Sequence, residues 1–315
     1  SSEPSWQSNT AQWNIDQVFL NLSRNQYDTV YPEIRFIYRP PSMLRYYQSM
    51  PYTQYCDDPT NEIKDTLDIL MSDRDLTAHM STYGYNVSNP PGSFSKSYNG
   101  GSYNIQPYGI TPYVTYQKFA HPAVPFLIPI SQADSAIFQL KHIVKATDAT
   151  LGDSMVGYQR FYNYYAYDDG TPEASYGLSP AGSKLAYRFS LNKSPDTLRA
   201  VRMYFNRTLG ANSQQFFYLC VWNDNSGKPG DTIYSDLVIP RYADSINKFV
   251  TYHIYPPLVV TGTFYVGWEQ TTGDNLSIGF DRYNNSQDNI FWNSTGVWNN
   301  SAYSGSLMIR PVIGK

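Results

Sequence analysis

The residues best suited to chemistry gather in one short run, Asp168-Asp169-Gly170-Thr171-Pro172-Glu173. Carboxylates around a tight Gly turn are hard oxygen donors of the kind Ca²⁺ takes, about six to eight at a time and in flexible geometry. Asp168, Asp169 and Glu173 therefore form a candidate structural calcium site, which would pin the first strand of a β domain. The plainer alternative is an Asp-Asp-Gly turn with Glu173 in solvent. A second candidate lies in FDRYNNSQDNIFWNSTGVWNN (280–300), where Tyr283, Trp292 and Trp298 stand among asparagines. Exposed rings stack on the C–H faces of sugars while amides bond the hydroxyls. The competing reading makes Trp292 and Trp298 core anchors beside Asn-rich turns.

Covalent catalysis finds little support. GxSxG, HExxH, GxxxxGK[ST] and GxGxxG do not occur. The four histidines, His79, His121, His142 and His253, are scattered, and the last two sit in alternating strand patterns that suit a hydrogen-bonded sheet histidine better than a general base. Glycoside hydrolysis needs two carboxylates at a set separation. Glu173 and Glu269 are the only glutamates within the best-defined segment, and nothing in the sequence fixes their distance. The chain is read as non-enzymatic. Cys56 and Cys220 form no CxxC or Cys/His cluster; one long-range disulfide stays open, but Cys220 lies within FFYLCVW, where a thiol behaves as a small buried hydrophobe.

The elements that must position these residues are strands. The chain has 315 residues, a net charge of −3 and only 16% charged residues, which excludes a disordered polyelectrolyte and a nucleic-acid binder acting through excess positive charge. No run reaches the roughly 18 consecutive apolar residues of a membrane helix. The opening SSEPSWQSNTAQW lacks the basic start and apolar core of a signal peptide, so a mature chain or a piece of a longer one is expected. With 30 Tyr, 15 Phe and 6 Trp, and with Gly and Pro punctuating the chain, an all-β fold of tandem β-sandwiches is predicted.

Three segments are expected: 1–51, an N-terminal piece of a preceding domain; 52–158, an immunoglobulin-like sandwich; and 159–315, a jelly roll. Residues 60–73, TNEIKDTLDILMSD, fit a helical period, but a strand with Leu67, Ile69 and Met71 on one face is favoured. In GTFYVGWEQ, Phe264, Val266 and Trp268 are assigned to a core, and Tyr265, Gly267 and Glu269 to solvent or a groove. SYNGGSYN reads as a hairpin turn.

The runs YYAYDDGTPEASYGL, KLAYRF, PDTLRAVRMYFN, FFYLCVWNDNSGKPG, GTFYVGWEQ, LSIGFDR and GSLMIRP together resemble a jelly-roll module of secreted and surface proteins from Bacteroidota, of the type IX secretion-associated kind. LKHIVKATDA, running into SMVGYQRFYNYYAYDDG, is similar to the immunoglobulin-like module that precedes it, and SNTAQWNIDQVFLNLSR to the closing strand of a lectin-like jelly roll. The sorting domain that usually follows is not seen before the chain stops at MIRPVIGK.

The resemblance implies a secreted or cell-surface structural or interaction module, with protein partners at the outer membrane such as type IX translocon components. A carbohydrate-binding module holding glycans and the C-terminal accessory part of a surface hydrolase are the alternatives. Seven Asp-Ser/Thr pairs are each followed by an apolar residue, and the triplet resembles the O-glycosylation acceptor of such proteins. The acceptors would be Thr29, Thr66, Ser135, Ser154, Thr197, Thr232 and Ser245. Their alternative is a turn followed by the first residue of a strand.

Overall fold

The computed structural model describes residues 34–37, 42–75, 77–89, 92–107, 117–122, 133, 135–148, 152–206, 215–243 and 247–314. Its regular structure is nearly all strand, in two units interleaved along the chain. One comprises Thr66–Val124 and Gln139–Tyr158 with the first strand; the other comprises Ser42–Asp65, Pro125–Phe138 and Gln159–Lys315. Residues 42–65 thus pack with the C-terminal part of the chain, a grouping the linear boundaries at 51 and 158 do not express.

In the first unit, β1 (Ile34–Phe36), β2 (Thr66–Asp73) and β5 (Gln117–Pro122) form one antiparallel sheet in the order β1-β2-β5. β3 (His79–Ser88), β4 (Ser95–Ile105), β6 (Ala136–Ala146) and β7 (Asp153–Phe161) form the other, in the order β4-β3-β6-β7. The strand reading of TLDILMSD is the observed one: Leu67, Ile69 and Met71 all lie in the core. Alternation decides it, because a two-residue period places all three on one face, whereas a helix would spread them. The sheets meet through Phe36, whose ring packs edge-on against Tyr83 at 6.3 Å and His142 at 6.4 Å. His142 is the hydrogen-bonded sheet histidine expected, its Nδ1 lying 2.8 Å from the Tyr83 hydroxyl.

SYNGGSYN is not a hairpin turn. It lies within β4, which continues through a register shift opposite Thr82–Gly84. The Gly101 N–H bonds the Asn99 side chain at 3.0 Å, so the polar Asn-Gly-Gly sequence is used by a bulge and not by a chain reversal.

At the start of β3, His79 sits between two carboxylates. Its Nε2 lies 2.9 Å from Asp75 and its Nδ1 3.0 Å from Asp148, with Asp73 contributing through space. Burial opposes the imidazolium, yet the two hydrogen-bonded carboxylates outweigh it and hold His79 above its ordinary value of 6.5. A raised value means that the stability contributed is complete below 6.5 and disappears as pH rises through the folded value. The stability difference between the natural chain and His79→Gln should accordingly be largest on the acid side of neutrality, above the carboxylate range, and shrink toward pH 9. Urea unfolding across that range checks it, and a constant difference would refute the bridge.

The second unit begins with two short helices, α1 (Tyr52–Asp57) and α2 (Pro59–Glu62); Asp58 caps α2 by accepting from Asn61 N. Its larger sheet runs β12-β11-β14-β9-β16-β17, made from β9 (Lys184–Ser190), β11 (Phe217–Asn225), β12 (Lys228–Val238), β14 (Thr263–Gln270), β16 (Ile290–Asn293) and β17 (Asn299–Asn300). β11 and β12 join through Ser226-Gly227, both at positive φ (55° and 82°), the two-residue turn that matches strand twist.

The facing layer holds β10 (Asp196–Met203) between β13 (Val250–Val260) and β19 (Ile309–Ile313). It also holds β15 (Ile278–Asp281) between β8 (Ala174–Tyr176) and β18 (Ser306–Leu307). Gly279 N–Tyr204 O (2.8 Å) and Met308 N–Gly279 O (2.9 Å) stitch the two triplets together. Phe217 of β11 meets Phe205 at 5.5 Å and Tyr252 at 5.9 Å, closing the layers into a sandwich.

The β14 assignment needs one correction. Phe264, Val266 and Trp268 enter the core as expected, but Tyr265 and Gly267 are buried too, and of the three residues assigned to the other face only Glu269 is partly open. The outer face of the larger sheet carries its own apolar cluster, in which Tyr265 packs with Ala186, Cys220, Trp222 and Phe291, and Trp298 lies against it. Both cysteines are free, Cys220 inside this cluster and Cys56 half-buried.

Candidate functional site

The Asp-Asp-Gly turn is a structural clasp. Asp168 is turned inward, where Arg310 of β19 grips both carboxylate oxygens, through Nε at 3.1 Å to Oδ2 and through Nη2 to Oδ1. Arg310 also donates to the Tyr164 hydroxyl at 3.2 Å and stacks on Phe249 with its guanidinium 3.9 Å from the ring centre. Burial pushes the Asp168 carboxyl up, while in Arg310 the charge of Asp168 overcomes the opposing effect of burial. At Gly170 (φ +99°) an added Cβ would stand 3.2 Å from Arg310 Nη2, so glycine serves both the turn and the guanidinium's approach.

Asp169 and Glu173 face other work. Asp169 Oδ1 accepts from Thr171 N at 2.9 Å and Thr171 Oγ1 at 2.6 Å, and Glu173 Oε2 accepts from Arg282 N at 2.9 Å. The residues do not fit a calcium ion: Asp168 has both oxygens on a guanidinium, and no group of three His, Cys, Asp or Glu side chains assembles a metal site among the described residues. Glu269 pairs with Lys184 at 3.1 Å.

Asp281 carries what sequence reasoning missed. Fully buried, it accepts from Asp169 N (2.9 Å), Tyr283 N (2.8 Å), Asn284 N (3.1 Å) and Asn284 Nδ2 (2.7 Å), tying the Asp-Asp-Gly turn to the loop after β15. Ser286 and Ser306 bond each other at 2.7 Å, and Ser306 donates to Asn284 O, which fastens the other end of that loop.

Beside this fastened loop lies a groove of about 830 Å³, lined by β8, the end of β15, Trp292 and residues 302–304. Alternation explains Trp292. It shares a face of β16 with core residue Ile290, but stands where the sandwich ends, so its ring lines the groove. Its indole N–H donates to Asn300 O at 3.2 Å. Tyr176 and Phe280, 5.4 Å apart, form an aromatic floor, and Tyr303, 67% exposed, meets Tyr176 edge-on at 6.0 Å. Arg282 and several serines supply the polar lining.

The three aromatic candidates therefore separate. Trp292 lines the groove; Trp298 packs edge-on against Trp222 at 5.6 Å, as a core anchor would; Tyr283 is 74% exposed and outside the groove lining. Tyr176, Phe280 and Tyr303 escaped sequence reading because each stands in an ordinary strand or turn pattern, and it is the pairing of β8 with β15 that brings Tyr176 beside Phe280.

Among the Asp-Ser/Thr triplets, Thr66, Ser135, Ser154 and Thr232 are exposed and Thr197 is half-buried; Thr29 and Ser245 lie outside the described residues. The aspartates have strand-start work. Asp153 accepts from Phe36 N at 2.9 Å and Ser154 N at 2.8 Å, and Asp196 from Thr197 N at 2.7 Å and Gln54 Nε2 at 2.7 Å. No helix among the described residues is long and apolar enough to cross a membrane.

No family model matches the chain. No curated protein matches it either. Among solved structures, one described as a carbohydrate-binding module from the β-sandwich superfamily aligns over 82% of this chain and 99% of its own, at 8% identity and a TM-score of 0.23. Nothing about a ligand of this chain follows from that overlap.

Proposed function

We propose that the chain is a non-catalytic binding protein whose second unit holds a glycan in the Trp292 groove. The observation that carries the reading is the combination of a fixed aromatic floor, a ring at the open edge and hydroxyl-bearing walls in one concave site. Binding sites of this make-up take ligands with apolar faces and polar rims, which a pyranose ring has. The cell-envelope location, export by the type IX route and O-glycosylation at the exposed acceptors belong to the same proposal, supported by the sequence resemblance.

Glycan-array binding by the full chain tests the reading, with Trp292→Ala and Tyr303→Ala as variants. Losing an aromatic anchor should weaken binding by at least about thirtyfold, equivalent to about 2 kcal/mol. Trp298→Ala should leave binding in place while lowering stability, since that ring packs on Trp222. An array on which nothing is retained, or a Trp292→Ala variant that binds unchanged, would overturn the proposal.

A further inference from the structure

A second cavity of the same unit, about 460 Å³, lies where α2 meets the strand ends of β9, β11 and β14 in the larger sheet. Glu62, the last residue of α2, lines it while only 6% exposed. Its Oε1 accepts from Asn192 Nδ2 at 2.8 Å, and its Oε2 has no hydrogen-bond partner among the described residues. Leaving a buried carboxylate oxygen without a donor costs free energy, more so if the group is charged.

Among the described residues neither nearby guanidinium is hydrogen-bonded to the Glu62 carboxyl, although Arg45 acts on it through space. Arg45 pairs with Asp65 at 2.8 Å, and Arg188 donates through Nε to Asn289 at 2.9 Å and lies over Phe291. The lining holds three carboxylates (Asp58, Glu62 and Asp224) and one guanidinium, that of Arg188, so it is short of positive charge. Tyr46, 64% exposed, stands at the cavity with Tyr47 and Tyr167, whose rings lie 4.6 Å apart. Aromatic faces attract cations and cover alkyl stems.

We infer that this cavity binds a primary ammonium group on a short aliphatic stem, the Glu62 carboxyl turning its covered Oε2 to receive the ammonium and Tyr46 covering the stem. A guanidinium is the poorer fit: it favours two parallel acceptors, and Asn192 already occupies the second oxygen of Glu62. The ammonium can come from a lysine side chain or from a chain N-terminus. The inference is independent of the glycan reading, since the two cavities have no lining residue in common.

Calorimetric titration of the full chain tests it with two probe pairs. Nα-acetyl-lysine methylamide is compared with its norleucine analogue, and glycylglycinamide with its N-acetylated form. An ammonium probe should bind saturably and its neutral counterpart should not, and the pair that responds identifies the source. Glu62→Gln should weaken that binding by roughly tenfold or more with an equal or higher melting temperature. Tyr46→Ala, at an exposed ring, should weaken it with the melting temperature unchanged. If both ammonium probes bind no better than their neutral counterparts, or if folded Glu62→Gln binds as before, the inference fails.

Discussion

Arg310→Met is expected to cost about 3–5 kcal/mol of folding free energy, because it strands a buried carboxylate. Asp168 is 1% exposed, and its two oxygens are held by Arg310 Nε and Nη2. The attraction between the two charges offsets the desolvation of both only while both are present. With the guanidinium gone, burial, already the largest influence on Asp168, acts unopposed by a cation, and the carboxyl must stay charged without a partner or take up a proton. A carboxyl raised in the folded state destabilises more as pH rises, so the loss should be greater at pH 8 than at pH 5. The double variant Asp168→Asn with Arg310→Met should recover much of the loss. Urea unfolding of the single and double variants decides the matter: a double variant as unstable as Arg310→Met would show that packing on Phe249 and Tyr164, not charge, is what the arginine supplies.

That prediction also marks where sequence reading stops. Asp168 and Arg310 are 142 residues apart, and local composition showed a carboxylate cluster beside a glycine, which fits a metal site and an ion-paired turn equally well. The strands themselves were legible because alternation is a local property: TLDILMSD, AIFQLKHIVKA and GTFYVGWEQ each expose their two-residue period to a reader with no knowledge of partners. The pattern fails where a sheet is covered on both faces. Tyr265 looked solvent-facing because it alternates with Phe264 and Val266, and nothing nearby signals that Trp222 and Phe291 bury the other face.

Trp292 and Trp298 show the same limit within six residues, one lining a groove and one packing on Trp222, a difference set by where the sandwich ends. Glu62 carried no signal at all: only the return of residues 42–65 to the C-terminal unit buries its carboxyl.

The second large effect is expected at Trp268, where two substitutions should part company. The ring is fully buried on the inner face of β14, between cross-strand partners Leu185 and Leu219. Trp268→Ala removes the largest type of side chain from a packed core and should cost about 3–5 kcal/mol. Trp268→Phe also loses volume, but it discards something unfavourable, since the indole Nε1 has no hydrogen-bond partner among the described residues. An unsatisfied buried donor costs about 1–3 kcal/mol, so removing it should offset much of the lost packing. The phenylalanine variant is therefore expected to unfold within about 1 kcal/mol of the natural chain, close to the cost of a conservative core swap. Denaturant unfolding of both variants separates the contributions of ring volume and polar group. Were Trp268→Phe to unfold as readily as Trp268→Ala, the indole N–H would have to be satisfied in solution, and this part of the core would be wetter than the packing of β9, β11 and β14 implies.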